Sequence, residues 1–312
     1  MKKLLILILA ASVIVLAPFL EKNMSNNGFY KENTKSDTNI SDEEVVGSEN
    51  LTNEEEQNEV EKQNEELKES QKEESKEVEK SEDDYETLNI DDVRIPILMY
   101  HSISDADSNN NLLVPVSQFE EQIKWFKEAG FTPMLLDDVV EAYTTGYVPK
   151  KPIAITFDDG YIDNYTDAYR ILRENSMKAT FFIITSGTDN DDYYMNSSML
   201  KEMKENGMGI ENHTSRHMEF TNISREDKSI IIKEGISDLK EKVGVDSKYL
   251  CYPVGRYDDE TMEVEKELGI KAAVTTEYGV SSLDDGLYAL KRIRIWPMEL
   301  ETFKGIFSDF LE

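Results

Sequence analysis

The apolar run Ile153-Ala154-Ile155-Thr156-Phe157 ends in Asp158-Asp159-Gly160-Tyr161. Two adjacent carboxylates at a strand end can serve as a general base and a metal ligand, provided the backbone turns so that both face one site. Gly160 permits that turn. An aspartate before a helix can equally be a simple N-cap. Further on, Glu211-Asn212-His213-Thr214-Ser215-Arg216-His217 puts two imidazoles four residues apart, on one helix face or around one tight turn. From there both can reach a single cation. Three protein ligands with an open position are the pattern of a catalytic metal site, so one aspartate could complete the set and the other stay free as a base. The chain has only three histidines, the third being His101 at the end of Ile95-Pro96-Ile97-Leu98-Met99-Tyr100. By itself that position is a weak signal and suits a packed core histidine. A fourth strand, Tyr249-Leu250-Cys251-Tyr252, runs into Pro253-Val254-Gly255, a Pro-x-Gly turn of the kind that can aim backbone N–H groups at a developing oxyanion. Cys251 is the single cysteine, which excludes an internal disulfide and a Cys-rich zinc site and reads as a small buried apolar residue.

These residues need strands to carry them, and the chain from Val93 supplies them. Apolar runs of four to six residues, among them Ile95–Met99, Ile153–Phe157, Ala179–Ile184, Met208–Glu211, Tyr249–Tyr252 and Leu290–Ile295, alternate with helix-length stretches such as Ser117–Ala129 and Arg225–Val243. That alternation predicts βα units and a mostly parallel sheet. Ser117 and Glu120 have the spacing of a capping box at the start of the first long helix. About 220 residues in one βα series, with no Gly-rich fingerprint after the first strand, favour a barrel-like α/β domain over 93–312 rather than an open dinucleotide-binding sheet.

The remainder differs in kind. Lys2 and Lys3 precede an apolar run from Leu4 to Leu20, the layout of a secretory signal or a signal anchor over residues 1–20. Pro18 after the best cleavage position favours the uncleaved anchor, which puts the rest of the chain outside the cytoplasm and on the membrane. Residues 21–92 read as an acidic, disordered tether: from Ser41 to Ile90 there are 20 acidic residues against 5 lysines. Overall, 34 basic side chains face 64 acidic ones for a net charge of −30, which argues against a nucleic-acid partner.

Thr-Phe-Asp-Asp-Gly at 156–160, His-x-x-x-His at 213–217 and Tyr-Pro-x-Gly at 252–255 together resemble the polysaccharide deacetylases with a NodB-homology domain. Pro-Ile-Leu-Met-Tyr-His-Ser at 96–102 resembles the circularly permuted, poly-N-acetylglucosamine deacetylase-like branch more narrowly. The resemblance implies a distorted (β/α) barrel of about seven strands and one divalent metal held by Asp159, His213 and His217. Zinc is expected, with nickel, cobalt or manganese able to use the same ligands. It further implies that Asp158 is the general base, that His101 is the acid, and that the Val254 N–H is the oxyanion donor. Tyr161, Tyr252 and Pro253 fall where substrate contacts are expected. In the ordinary family an arginine two residues before the motif proline pairs with the base; that place is Cys251 here, leaving Arg256, Arg292 and Arg294 as candidates. The implied reaction is removal of N-acetyl groups from an extracellular N-acetylglucosamine polysaccharide by a monomeric catalytic domain. Peptidoglycan and O-acetylated glycans are rival substrates. A non-catalytic wall-binding domain would be expected to have lost part of this set. Adjacent aspartates do not suit a glycosidase, whose carboxylates stand roughly 5–9 Å apart.

Overall fold

Strands buried on both faces of a parallel sheet have no polar side to alternate with, so they read as continuous apolar runs. The computed structural model describes residues 84–311. Its strands are β1 (Tyr85–Thr87), β2 (Ile97–Tyr100), β3 (Ser102–Ile103), β4 (Leu113–Val114), β5 (Thr132–Met134), β6 (Tyr147–Pro149), β7 (Pro152–Phe157), β8 (Thr180–Ile183), β9 (Gly209–Asn212), β10 (Tyr249–Cys251), β11 (Ala272–Tyr278) and β12 (Leu290–Arg294). Seven of them close a parallel barrel in the order β2, β12, β11, β10, β9, β8, β7, with β7 returning to β2 through pairs such as Leu98↔Ile155. The expected (β/α) barrel is therefore present. β5 pairs with the first half of β7, from Thr132↔Pro152 to Met134↔Ala154, and β8 takes the second half from Thr156↔Thr180.

The helices are α1 (Val116–Glu128), α2 (Leu136–Thr145), α3 (Arg170–Glu174), α4 (Ser197–Glu205), α5 (Arg225–Asp238), α6 (Asp259–Glu267) and α7 (Leu300–Gly305). A wide π-type turn, Asn164–Tyr169, leads into α3. Three helices begin on side-chain caps: Asn196 accepts from the N–H of Met199, Ser224 from that of Asp227, and Asp258 from that of Thr261. The capping box expected from Ser117 and Glu120 is absent. Pro115 caps α1 two residues earlier, which puts Ser117 inside the first turn, and Glu120 instead pairs with Lys124 one turn on.

Folded structure also begins before Val93. β1 pairs antiparallel with β6, and Tyr85 stacks on Tyr147 with ring centroids 4.9 Å apart. The end of the stretch expected to be tether is thus part of the fold, because β6 offers it an edge to pair with. The expected N-terminal segment over 1–20 and most of the 21–92 stretch lie outside the described residues. Among the described residues no helix is long and apolar enough to cross a membrane.

Candidate active site

β7 delivers Asp158 and Asp159 at the carboxyl rim of the barrel. Consecutive strand residues would face opposite ways, but Asp159 adopts φ 74° and Gly160 φ 79°, and this turn brings the second carboxylate round to the same side. β9 ends at Asn212 and hands over to His213. The segment from His213 to His217 is a turn rather than a helix, with Thr214 and His217 left-handed at φ 65° and 51°. Its shape is held by a relay. Asn212 donates to the Ile232 carbonyl at 3.0 Å and accepts from the Thr214 N–H at 2.8 Å, and the Thr214 hydroxyl accepts from the His217 N–H at 3.0 Å.

The Nε2 atoms of His213 and His217 then lie 3.3 and 3.5 Å from one oxygen of Asp159. His213 Nδ1 is 2.8 Å from the Cys251 carbonyl. A carbonyl can only accept, so Nδ1 carries a hydrogen, and Nε2 is the nitrogen that faces Asp159 and could ligate a cation shared with it. Two imidazole nitrogens and a carboxylate oxygen converge and fit a divalent cation, Asp159 and His213 being buried and His217 half-buried. A second convergent trio, Asp158, His213 and Cys251, does not fit one. Arg292 occupies both oxygens of Asp158 and also reaches the Cys251 sulfur, while burial pushes the Cys251 thiol up and away from the thiolate a metal needs.

Asp158 is handled differently from its neighbour. Arg292, on β12 and 0 % exposed, donates to both of its oxygens at 2.7 Å, and to the Thr156 hydroxyl and the Thr275 carbonyl as well. Burial pushes the Asp158 carboxyl up, but the guanidinium overrides it and holds the group well below the usual carboxylate range. Of the three arginine candidates, then, Arg292 pairs with Asp158. Arg256 sits 3.4 Å from Glu219 instead. The Arg292 guanidinium lies 3.3 Å from the sulfur of Cys251, in room that a larger residue at 251 would need.

His101 follows β2 with its Nε2 4.0 Å from Asp158, and burial lowers its pKa against the pull of the two aspartates. Two residues with no signal in the sequence fix it. Asn164, fully buried, donates to the His101 carbonyl at 2.7 Å, and Asp163 accepts from the Ser102 hydroxyl and the Ile103 N–H. Tyr161 lies beside Asp159; burial and that carboxylate push its hydroxyl up.

Beyond β10, Val254 takes φ 54° and is 53 % exposed. A β-branched residue in the left-handed region is a strained exception. Gly255 follows at φ 72°, where a Cβ would run into the Thr276 side chain. Lys228, buried within α5, donates to Asp258 and Glu260 and so ties this loop to the helix layer. Tyr252 and Pro253, expected as substrate contacts, are both buried. Strand alternation sends Cys251 into the barrel and Tyr252 outward, where it is 1 % exposed, stacks on Tyr257 and meets Glu265.

The geometry thus gathers Asp158, Asp159, His101, His213 and His217 at one rim and leaves Tyr252 and Pro253 out. Comparison with known proteins bears on the chain as a whole. The family model described as polysaccharide deacetylase matches residues 145–273. The Bacillus subtilis (strain 168) protein YxkH, assigned to the polysaccharide deacetylases, is 37 % identical over 205 residues, covering 65 % of this chain and 72 % of that protein. The poly-beta-1,6-N-acetyl-D-glucosamine N-deacetylase of Staphylococcus aureus is 28 % identical over 227 residues, covering 64 % and 77 %. The solved structure of Streptococcus pyogenes deacetylase PplD in complex with acetate superposes with a TM-score of 0.66 at 34 % identity, covering 68 % of this chain and 97 % of that one. His101 and Arg292 both lie outside the span that the family model matches.

Proposed function

Because the chain belongs to the polysaccharide deacetylase family, we propose that it hydrolyses N-acetyl groups from an N-acetylglucosamine polysaccharide outside the cytoplasm, releasing acetate and leaving amines on the glycan. The observation that carries this reading is the pairing of two environments side by side: a convergent Asp159–His213–His217 trio, and an Asp158 held as a carboxylate next to His101. A divalent cation, zinc by the ligand set, would be held by Asp159, His213 and His217 and would supply Lewis-acid polarisation of the acetyl carbonyl and acidify water.

The chain's own residues do the rest. Asp158 keeps accepting capacity beside its two bonds from Arg292 and takes a proton from the attacking water. His101 lies across Asp158 and delivers a proton to the departing sugar amine. The N–H of Val254, presented by a strained turn, stabilises the negative charge on the former carbonyl oxygen. The permuted Tyr-His motif and the similarity to the Staphylococcus aureus enzyme support a β-1,6-linked substrate. The apolar segment Leu4–Leu20 supports a membrane-anchored, extracytoplasmic site of action.

The test is to incubate the full chain with β-1,6- and β-1,4-linked N-acetylglucosamine oligomers and measure acetate. Release from the β-1,6 series, abolished by a chelator and restored by zinc, is expected. No release from either series overturns the reading.

A further inference from the structure

Next to Asp159 the loop after β8 carries two tyrosines that the reaction scheme leaves unused. This loop is stitched onto the turn after β7 by backbone bonds: the Ile162 N–H donates to the Tyr193 carbonyl at 2.9 Å, the Met195 N–H donates to the Gly160 carbonyl at 3.0 Å, and Tyr161 bridges to Tyr194. The Tyr193 N–H is further fixed on the Asp191 carboxylate at 2.9 Å. The three rings form one cluster. Tyr161 meets Tyr193 edge-on at 5.2 Å, stacks with Tyr194 at 5.7 Å, and Tyr193 stands at 87° to Tyr194. Gly187 lets Tyr194 lie flat against the backbone, since a Cβ there would come within 2.5 Å of the ring. Tyr193 is nevertheless 61 % exposed.

A scattered exposed aromatic needs no explanation. Here, though, the ring is braced by two others, its backbone is pinned at both the N–H and the carbonyl, and it stands one ring away from a residue beside Asp159. That combination makes a rigid apolar surface at low entropic cost, continuous with the rim. The C–H face of a pyranose is apolar and complements an aromatic face, whereas its hydroxyl rim wants solvent or polar partners. We propose that Tyr193, braced by Tyr161 and Tyr194, is a stacking platform for a sugar ring of the N-acetylglucosamine chain next to the residue being deacetylated, and that it makes the enzyme prefer oligomers over single sugars. The identity of the glycan rests on the proposed function. Binding energy from this neighbouring ring holds the reacting unit in place.

The test compares the full-length wild type with Tyr193→Ala, Tyr193→Trp and a control, Tyr147→Ala, in an exposed stacked tyrosine before the start of β7. Two quantities are read: the ratio of kcat/KM on an N-acetylglucosamine hexamer to that on the single sugar, and retention of metal-free protein in native gels containing the polymer. Tyr193→Ala should lower the ratio about tenfold, with the loss carried by KM, and should run free of the polymer. Tyr193→Trp and Tyr147→Ala should behave like the wild type. A Tyr193→Ala ratio and retention equal to the wild type overturn the platform. If the wild type is retained but releases no acetate, the proposed chemistry fails alone, and loss of retention in Tyr193→Ala still upholds the platform. A wild type that neither binds nor deacetylates β-1,6 or β-1,4 chains overturns both.

Discussion

Between α1, α7 and the start of β5, the rings of Trp125, Phe126, Phe131, Phe303 and Phe307 meet at centroid distances from 5.0 to 6.0 Å, mostly edge-to-face or tilted. At the carboxyl rim, by contrast, a fully buried guanidinium, two aspartates and a buried imidazole crowd together. Of the six non-glycine residues with positive φ among those described, four lie there: Asp159, Thr214, His217 and Val254. The aromatic wall follows the ordinary rules of a core, with large apolar area removed from water and rings in favourable geometry. The rim departs from those rules in backbone and in charge, and it persists because the wall and the closed sheet hold it in place. Stability and chemistry are therefore separable here to an unusual degree, and substitutions can test how far.

Asp158→Asn should have the largest effect, because it touches both. It removes the base, for a loss in turnover of at least about a hundredfold, and it leaves Arg292 as an uncompensated buried cation, for about 3–5 kcal/mol of stability. His101→Ala should match the loss in turnover with less than about 2 kcal/mol of destabilisation, since no buried charge is orphaned. Acetate release and urea unfolding on the same preparations check both. An Asp158→Asn variant as stable as the wild type would remove the argument that the Arg292 pair is structurally required.

Phe303→Ala is the converse. It should cost about 3–5 kcal/mol by cavity formation, while kcat/KM per folded molecule stays at the wild-type value. A fall in kcat/KM at a temperature where the variant is fully folded would show that the wall tunes the rim as well as supporting it.

The smallest effect concerns a buried carboxyl, Glu265 on α6, which meets Tyr252 just after β10. The Tyr252 hydroxyl lies 2.8 Å from both the Tyr288 carbonyl and Glu265. A phenol has one hydrogen to offer a carbonyl and a carboxyl, so both contacts are satisfied together only when Glu265 is protonated. Burial accordingly pushes Glu265 up to about 8. With its folded value above the unfolded one, the bound proton contributes stability in full below about pH 4.3 and loses it progressively as pH rises toward 8, at up to about 1.4 kcal/mol per unit. Glu265→Gln should flatten this slope, and urea midpoints at pH 5.5 and 7.5 measure it. An unchanged slope would mean that Glu265 is ionised in the fold. Asp158 is the contrast: equally buried but paired with Arg292, it stays charged.

Much of the site could be read directly from the chain. β7 shows as an unbroken apolar run, the two histidines are four apart, and His101 closes an apolar strand, because burial and strand ends leave local marks. β1 and β6 were not legible, since three-residue strands such as Tyr85–Thr87 and Tyr147–Pro149 have no period to detect and exist only because they pair. Tyr193 was missed for a related reason: its importance depends on Tyr161, thirty-two positions away, and no local pattern joins them.

Residue types, order and spacing by themselves pointed to a parallel α/β barrel, singled out two histidines and two aspartates as candidates for its chemistry, and excluded an internal disulfide. Which arginine meets Asp158, which aspartate turns toward the histidines, and on which side of β10 Tyr252 lies were decided only in three dimensions. Each depends on strand register and barrel closure, where neighbours in space are far apart in sequence. A single-residue change in facing reverses a side chain from the interior to the outside.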